Sequence, residues 1–367
     1  MYRVSIENFA HNAKGIAKIN GKIVFVSYAL PNEIVDIDIV SQKKDYSIAN
    51  LIDIKKPSKE RIEPICKYYG LCGGCDLQHA NYSYQLELKK FILKQTIKKI
   101  AKFDFNDIVV VASKNPFYYR RRVKFKCIGK EYGFNKKKSN EDVLIDRCVI
   151  ADEAINDYIL KNRCKNYEIL VDDKGLINPK KGFLDLSFIK DGLYINYSPK
   201  AFVQVNRYIN IKMIEALIDM VKKEHCSFVL DFFGGIGNFS IPLAAIGCDV
   251  VNLEYNKSAL NSFKDSAKML NLSSKLKSKR INLFMPFNLK EKPDCVVLDP
   301  PRSGAKRVMS YILNSKPKTV FYFSCEPSTL ARDISSLLSL YDVEKMFLFD
   351  MFPQTHHFET LVKLKIR

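Results

Sequence analysis

The chain has 367 residues, 47% of them apolar, and carries 59 Lys and Arg against 40 Asp and Glu, a net charge of +19. That length exceeds one ordinary core and the apolar content excludes wholesale disorder, so two or three packed domains are expected. The charge favours a polyanionic partner; with no apolar run of about 18 residues and no hydrophobic leader, a soluble cytoplasmic protein free of membrane is expected.

Residues 1–58 alternate apolar and polar side chains in short bursts, at Lys22 to Val26, Glu33 to Val40 and Ile48 to Ile54, broken by Asn20-Gly21 and Pro31-Asn32. The pattern predicts a small closed β-barrel. Its length, its position and the stretch GIAKINGKIVFVSYALPNE resemble the TRAM domain, an OB-like RNA-binding module.

At Cys66 the composition changes: CKYYGLCGGCDLQH packs three cysteines and three glycines together, which no hydrophobic core explains. Cysteines of a cytoplasmic chain are expected to stay reduced, so their spacing is read for metal and catalysis rather than disulfides. Cys66, Cys72 and Cys75 are ligand-spaced, the glycines let amides turn toward sulfur, and Cys148 in DRCVIAD is the best-placed fourth ligand. Four thiolates suit an iron–sulfur cluster or zinc, and the spacing alone does not choose. Cys127, Cys164, Cys226, Cys248 and Cys295 are read as structural.

A helix is predicted over 84–102, with Leu86, Leu93, Ile97 and Ile100 on one stripe and Lys89, Lys90, Lys94, Lys98 and Lys99 on a solvated face. In YYRRRVKFKCIG, strand alternation puts Arg120, Arg122, Lys124 and Lys126 on one side, a row of cations beside Tyr118, Tyr119 and Phe125 that suits RNA. Lys136 to Lys138 read as a flexible basic loop. From residue 199 strands and helices alternate: strands at 227–231, 249–254, 294–299 and 320–323, helices near 209–223, 257–270, 306–313 and 328–340. Two final strands, 345–349 and 358–365, lack a long helix between them. An α/β, doubly wound Rossmann-like sheet closed by an antiparallel hairpin is expected.

The chemistry gathers at strand ends. VLDFFGGIGNFSIPLA is a strand, a glycine turn and a helix, and Glu254 ends the next strand where a carboxylate can accept from ribose hydroxyls. Ser240 stands where a dinucleotide fingerprint needs its last glycine, so S-adenosylmethionine fits better than NAD. Asp299-Pro300-Pro301-Arg302 closes a further strand; methylases of exocyclic amines have an aromatic residue where Arg302 stands. In TVFYFSCEPSTLARD a β-prone run stops at Cys325 just before a helix, whose amides favour a thiolate there. Such a thiolate can add to C6 of uracil and make C5 nucleophilic, after which a base must remove the C5 proton. Glu359 in HHFETLVKL is the candidate base; His356 and His357 beside it are weaker candidates.

Taken in order, CKYYGLCGGCDLQH, AFVQVN, LDFFGGIGNFSIPLA, LDPPRSG, SCEPSTLARD and DMFPQTHHFETLV resemble the iron–sulfur-containing RNA uracil-5-methyltransferases, the branch acting on bacterial large-subunit ribosomal RNA. The resemblance implies a class I methyltransferase domain over 199–367, the TRAM barrel over 1–58, and between them, at 59–198, a small α+β iron–sulfur domain whose helix 84–102 can dock on the methyltransferase domain. It implies a [4Fe-4S] cluster on Cys66, Cys72, Cys75 and Cys148, and S-adenosylmethionine among Gln204, Phe233, Asn238, Glu254, Asn288 and Asp299. Phe202 and Gln204 fall near the target uracil, Cys325 at the nucleophile and Glu359 at the proton acceptor. RNA, ribosomal before transfer, is the expected partner; no obligate protein partner is evident and a monomer is expected. Where the family reads Ser-Cys-Asn-Pro this chain has Glu326, whose carboxylate would oppose thiolate formation unless it turns away or meets a cation. A non-catalytic iron–sulfur RNA-binding protein and an amine methylase are the competing readings.

Overall fold

The computed structural model describes residues 1–137, 139–165 and 167–367, so Lys138 of the basic loop lies outside the described residues. The first six strands form one sheet in the order Tyr2–Ser5, Ile34–Gln42, Tyr46–Lys56, Lys22–Ser27, Lys14–Ile19, Asn8–Ala10. It curls around Val4, Ile6, Ala17, Val24, Val26, Val35 and Ile37, and the Glu7 amide bonds to the Ile16 carbonyl at 2.8 Å to draw its two margins together. Asn20 and Gly21 both take positive φ, the two-residue turn whose twist matches a hairpin.

The large sheet has eight strands in the order Leu276–Arg280, Asp249–Glu254, Phe228–Phe232, Cys295–Leu298, Thr319–Ser324, Glu359–Ile366, Tyr341–Phe349, Ile108–Val111. The first five run parallel, and Glu359–Ile366 runs antiparallel to both its neighbours. Strand alternation sorts the side chains to two cores. Val229, Val250, Val297 and Phe321 face the helices Arg207–Lys223 and Lys257–Met269; Leu230, Val251, Val296 and Tyr322 face Lys306–Ser315 and Pro327–Ser335. Ile108–Val111 comes from the segment between barrel and sheet, yet it pairs parallel with Tyr341–Phe349 and covers the hairpin edge.

The helix Tyr82–Ala101 packs in the same core as Pro327–Ser335, through Leu88, Ile92, Leu93 and Ile97 against Leu330, Ala331 and Ile334. Its buried seam is the predicted one only in part: Leu93 and Ile97 are buried, but Leu86 is half-buried and Ile100 exposed, while Lys89, expected in solvent, is completely buried. A lysine there is tolerable because Asp350 meets it, an arrangement that an apolar-periodicity reading does not detect.

Between barrel and sheet, Val123, Phe125, Tyr132, Ile145, Ile155, Ile159 and Ile169 form a separate small core, with the helix Glu153–Lys161 and short antiparallel strands around it. The predicted row of cations is broken here. Arg122–Lys124 pairs with Glu168–Leu170 and Lys126–Ile128 pairs with Glu131–Asn135, in different sheets. Arg122 is held by Glu168 and by the carbonyls of Pro199 and Ala201, whereas Lys124 stays exposed. Two expected thiol pairs are disulfides instead, Cys127–Cys164 and Cys226–Cys295, with Cα atoms 5.5 and 6.0 Å apart. Those separations lie in the range a disulfide spans, and spacings of 37 and 69 residues give no sign of them. No helix among the described residues is long and apolar enough to cross a membrane.

Candidate active site

The carboxyl ends of the parallel strands open into a cavity of about 610 Å³. Phe233 to Gly235, Glu254, Asp299 and Cys325 each follow or end one of these strands, and all line it. Glu359 arrives from the opposite direction: Ser324 pairs with Thr360 in the antiparallel register, so the next position along each strand faces Cys325 with Glu359. Phe202, Gln204 and Asn238 complete the lining expected from sequence.

The turn after Phe228–Phe232 is built for close approach. Phe233 sits at φ 63°, a strained conformation for a residue with a side chain, and Gly235 at φ 54°. A Cβ on Gly234 would lie 2.5 Å from the Asn252 amide. The Gly235 amide donates to Glu254 at 3.1 Å, and the amides of Tyr255 and Asn256 donate to its other oxygen at 2.7 and 2.6 Å, fixing the carboxylate. Asn238 and Asn210 exchange two amide hydrogen bonds, each 2.9 Å. Asp231 beneath the turn is buried, which pushes its carboxyl up to about 7 although Ser240 donates to it.

Around Cys325 the acids crowd. Burial, then Glu359 and Asp299, push the thiol up to about 12, and Arg302 pulls it the other way. Glu359 is held well above the usual carboxylate range by burial and Asp299, again opposed by Arg302, and its Oε2 is buried without a hydrogen-bond partner among the described residues. Burial pushes Asp299 up to about 7, although the Gln204 side-chain amide donates to it at 3.5 Å. Three acidic groups sharing one buried space do not all ionise together, and Arg302 is a cation that favours the ionised forms of Cys325 and Glu359. The sequence pattern marks Arg302 only as the residue that disfavours amine methylation and gives no sign of this role.

Glu326 is turned from the thiol. It caps the helix Pro327–Ser335, its Oε1 accepting from the Ser328 amide at 3.3 Å and the Ser328 hydroxyl, and His11 of the barrel faces the same oxygen at 3.4 Å. His11 and Ser328 hold this carboxyl low, at about 2. The helix start thus serves Glu326 rather than the thiolate expected there. His357 lines the cavity, 3.4 Å from Arg302, and burial pushes it down to about 3; His356 pairs with Asp76 at 2.5 Å, away from the cavity.

Asn288 does not belong to this cavity. It lines a separate groove with Leu289, Lys290 and Arg307, and Asn282, Leu283 and Phe284 occupy the side expected of it. The cause is the strand Leu276–Arg280, absent from the predicted elements: Glu254 pairs with Arg280, so the chain passes the cavity at residues 281–284. Phe284 packs against Phe233 with ring centres 5.6 Å apart.

Cys66, Cys72, Cys75 and Cys148 are unpaired thiols and line a second cavity, of about 520 Å³, that shares Phe202 and Val203 with the first. The Gly74 amide donates to the Cys72 sulfur at 3.3 Å, and the amides of Ile150 and Ala151 and the Gln78 side chain act on Cys148 and Cys75. Burial pushes Cys72 up to about 11 and raises Cys75 and Cys148 as well. Among the described residues no group of three or more His, Cys, Asp or Glu is arranged to hold a single metal ion.

The family model for tRNA (uracil-5-)-methyltransferase matches residues 180–367, and that for the TRAM domain matches residues 1–52. The 23S rRNA (uracil(1939)-C(5))-methyltransferase RlmD of Shewanella baltica is 30% identical, covering 99% of this chain and 95% of the relative. RlmD of Shewanella sp. (strain MR-7) is likewise 30% identical over the same shares. The crystal structure of Pyrococcus abyssi tRNA (uracil-54, C5)-methyltransferase in complex with S-adenosyl-L-homocysteine superposes with a TM-score of 0.77 at 22% identity, covering 99% of this chain and 100% of that one. With its methyltransferase fold behind a TRAM domain, the chain belongs to the RNA uracil-5-methyltransferase family.

Proposed function

We propose that this methyltransferase forms 5-methyluridine in 23S ribosomal RNA, with Cys325 as nucleophile and Glu359 as the base. The observation that carries the reading is the pair itself: Cys325 and Glu359 lie one position beyond the registered pair Ser324 and Thr360, and both line the cavity that also holds the fixed Glu254 carboxylate. The names of the relatives at 30% identity favour ribosomal over transfer RNA.

Glu254, the Phe233–Gly235 turn, Asn238 and Asn282 would hold S-adenosylmethionine, which supplies an electrophilic methyl group when bound. A carboxylate fixed by three amides is pre-set to accept from two ribose hydroxyls, and the lack of a Cβ at Gly234 leaves its backbone close to Asn252. Phe202, 69% exposed at the mouth, offers a face on which a flipped base can stack, with Gln204 beneath. As the thiolate, its proton released to solvent beforehand, Cys325 adds to C6 of the uracil, so that C5 carries the electron density the methyl group needs. Glu359 then takes the C5 proton, re-forming the C5–C6 double bond and expelling the thiolate. Only the ionised Glu359 can take this proton, and Arg302 is the group that favours that form against burial and Asp299.

Cys66, Cys72, Cys75 and Cys148 would hold a [4Fe-4S] cluster. Four thiols in one cavity with N–H donors aimed at sulfur are the donor set such a cluster uses. Its role would be to fix the wall at Phe202 and Val203. Exposed Lys124, with Lys126 and Lys136 in weak surface pairs, would meet RNA phosphates nearby.

The test is Cys325→Ala. The variant should bind S-adenosylmethionine as the wild type does and transfer no methyl group to an unmodified 23S ribosomal RNA transcript. Measurable turnover would sink the mechanism.

A further inference from the structure

At the junction of barrel and catalytic helix, a histidine meets the one residue that breaks the family pattern beside the nucleophile. We propose that His11 is a positioning residue: by engaging Glu326 from the barrel, it keeps that carboxylate at the helix start and out of the field of Cys325. The inference rests on reading Cys325 as the nucleophile.

His11 lies in the turn between strands Asn8–Ala10 and Lys14–Ile19, and its Nε2 faces Glu326 Oε1 at 3.4 Å. Facing a carboxylate oxygen, Nε2 is the donor; among the described residues Nδ1 is buried without a partner, so within them Glu326 is the polar contact the ring makes. The ring is set edge-on against His356, 5.8 Å between centres, and His356 is held by Asp76. Three parts of the chain therefore meet at His11, the barrel turn, the start of the catalytic helix and the 356–357 segment, and the last is held in turn by Asp76 of the cysteine loop. After burial, the largest influences on Cys325 are Glu359, Asp299 and Arg302, while the Glu326 carboxylate is engaged by Ser328 and His11. With two acids already facing the thiol, a third turned inward would hold the thiol protonated. His11 and Ser328 are the groups that keep Glu326 outward. A barrel that docks correctly thus readies the nucleophile through a single side chain.

The experiment is the rate of iodoacetamide alkylation of Cys325 against pH, read by mass spectrometry of its peptide in anaerobically purified full-length protein. His11→Phe keeps the ring volume against His356 and removes the donor. It should move the midpoint of the thiol titration to higher pH, slowing alkylation about 3- to 10-fold at pH ~7.5. Adding Glu326→Gln should restore the wild-type titration, and His11→Gln, which retains a donor, should leave it in place. An unmoved titration in His11→Phe, or a double variant still displaced, would overturn the proposal. Cys325→Ala separates the two readings. If it still transfers methyl groups, the nucleophile reading fails; if it is inactive while His11→Phe alkylates normally, the role of His11 alone fails.

Discussion

Lys89 and Asp350 form an ion pair with neither side chain exposed, Nζ to Oδ1 at 2.5 Å, between residues 261 apart in sequence. Tyr82 donates to the other Asp350 oxygen at 2.7 Å, and Lys89 also donates to the Phe352 carbonyl at 3.1 Å. This network pins the segment between Phe349 and Glu359 to the helix Tyr82–Ala101. Removing one charge strands the other, so Lys89→Met should cost about 3–5 kcal/mol in urea unfolding. Lys89→Met with Asp350→Asn should recover part of the loss, and a cost below about 1 kcal/mol for the single change would show that the pair is not buried as described.

Glu359→Gln tests the second half of the reaction. Glutamine cannot accept the C5 proton, so the adduct between Cys325 and RNA should persist and run as a slow band on a denaturing gel. Normal turnover without that band would remove Glu359 from the role of base.

Arg302→Met addresses the charge balance. Arg302 lowers both Cys325 and Glu359, so its loss raises both. A thiol that titrates higher holds less thiolate at any pH below its pKa. The single-turnover rate, which should rise with pH through the neutral range, should therefore rise later in the variant. At one fixed neutral pH the variant should be slower by about 3- to 10-fold, in proportion to the thiolate it has lost. A profile unchanged in position would mean that Arg302 does not govern the site.

Cys75→Ser should abolish the brown colour and the bound iron of anaerobically purified protein, while Cys248→Ser, a buried thiol elsewhere, should keep both. Zinc in place of iron in the wild type would identify the other metal that four thiolates suit.

Residues whose chemistry is local are legible in the sequence. The strand ends at Glu254, Asp299 and Cys325 follow from short apolar runs stopped by polar residues, and the Asn20-Gly21 hairpin from its turn chemistry. What stays hidden depends on partners far away in the chain. Lys89 reads as solvated until Asp350 is placed beside it, and Ile108–Val111 gives no sign that it joins a sheet begun over a hundred residues later. Asn288 misleads because the strand Leu276–Arg280, LKSKR, is too charged to announce itself; it survives as an edge strand, where charge is expected. Glu326 stands out in the sequence as a departure, but its resolution needs His11, more than 300 residues away and invisible to any local pattern.

The edge strand Ile108–Val111 also sets an order for synthesis. Its partner Tyr341–Phe349 and the counter-ion Asp350 leave the ribosome more than 200 residues after it. Until they emerge, the helix that carries Lys89 has neither its sheet nor its charge partner, although the barrel ahead of it can already be folded. Proteolysis of ribosome-bound nascent chains should find the barrel protected early and residues 82–111 protected only once the chain has passed residue 350.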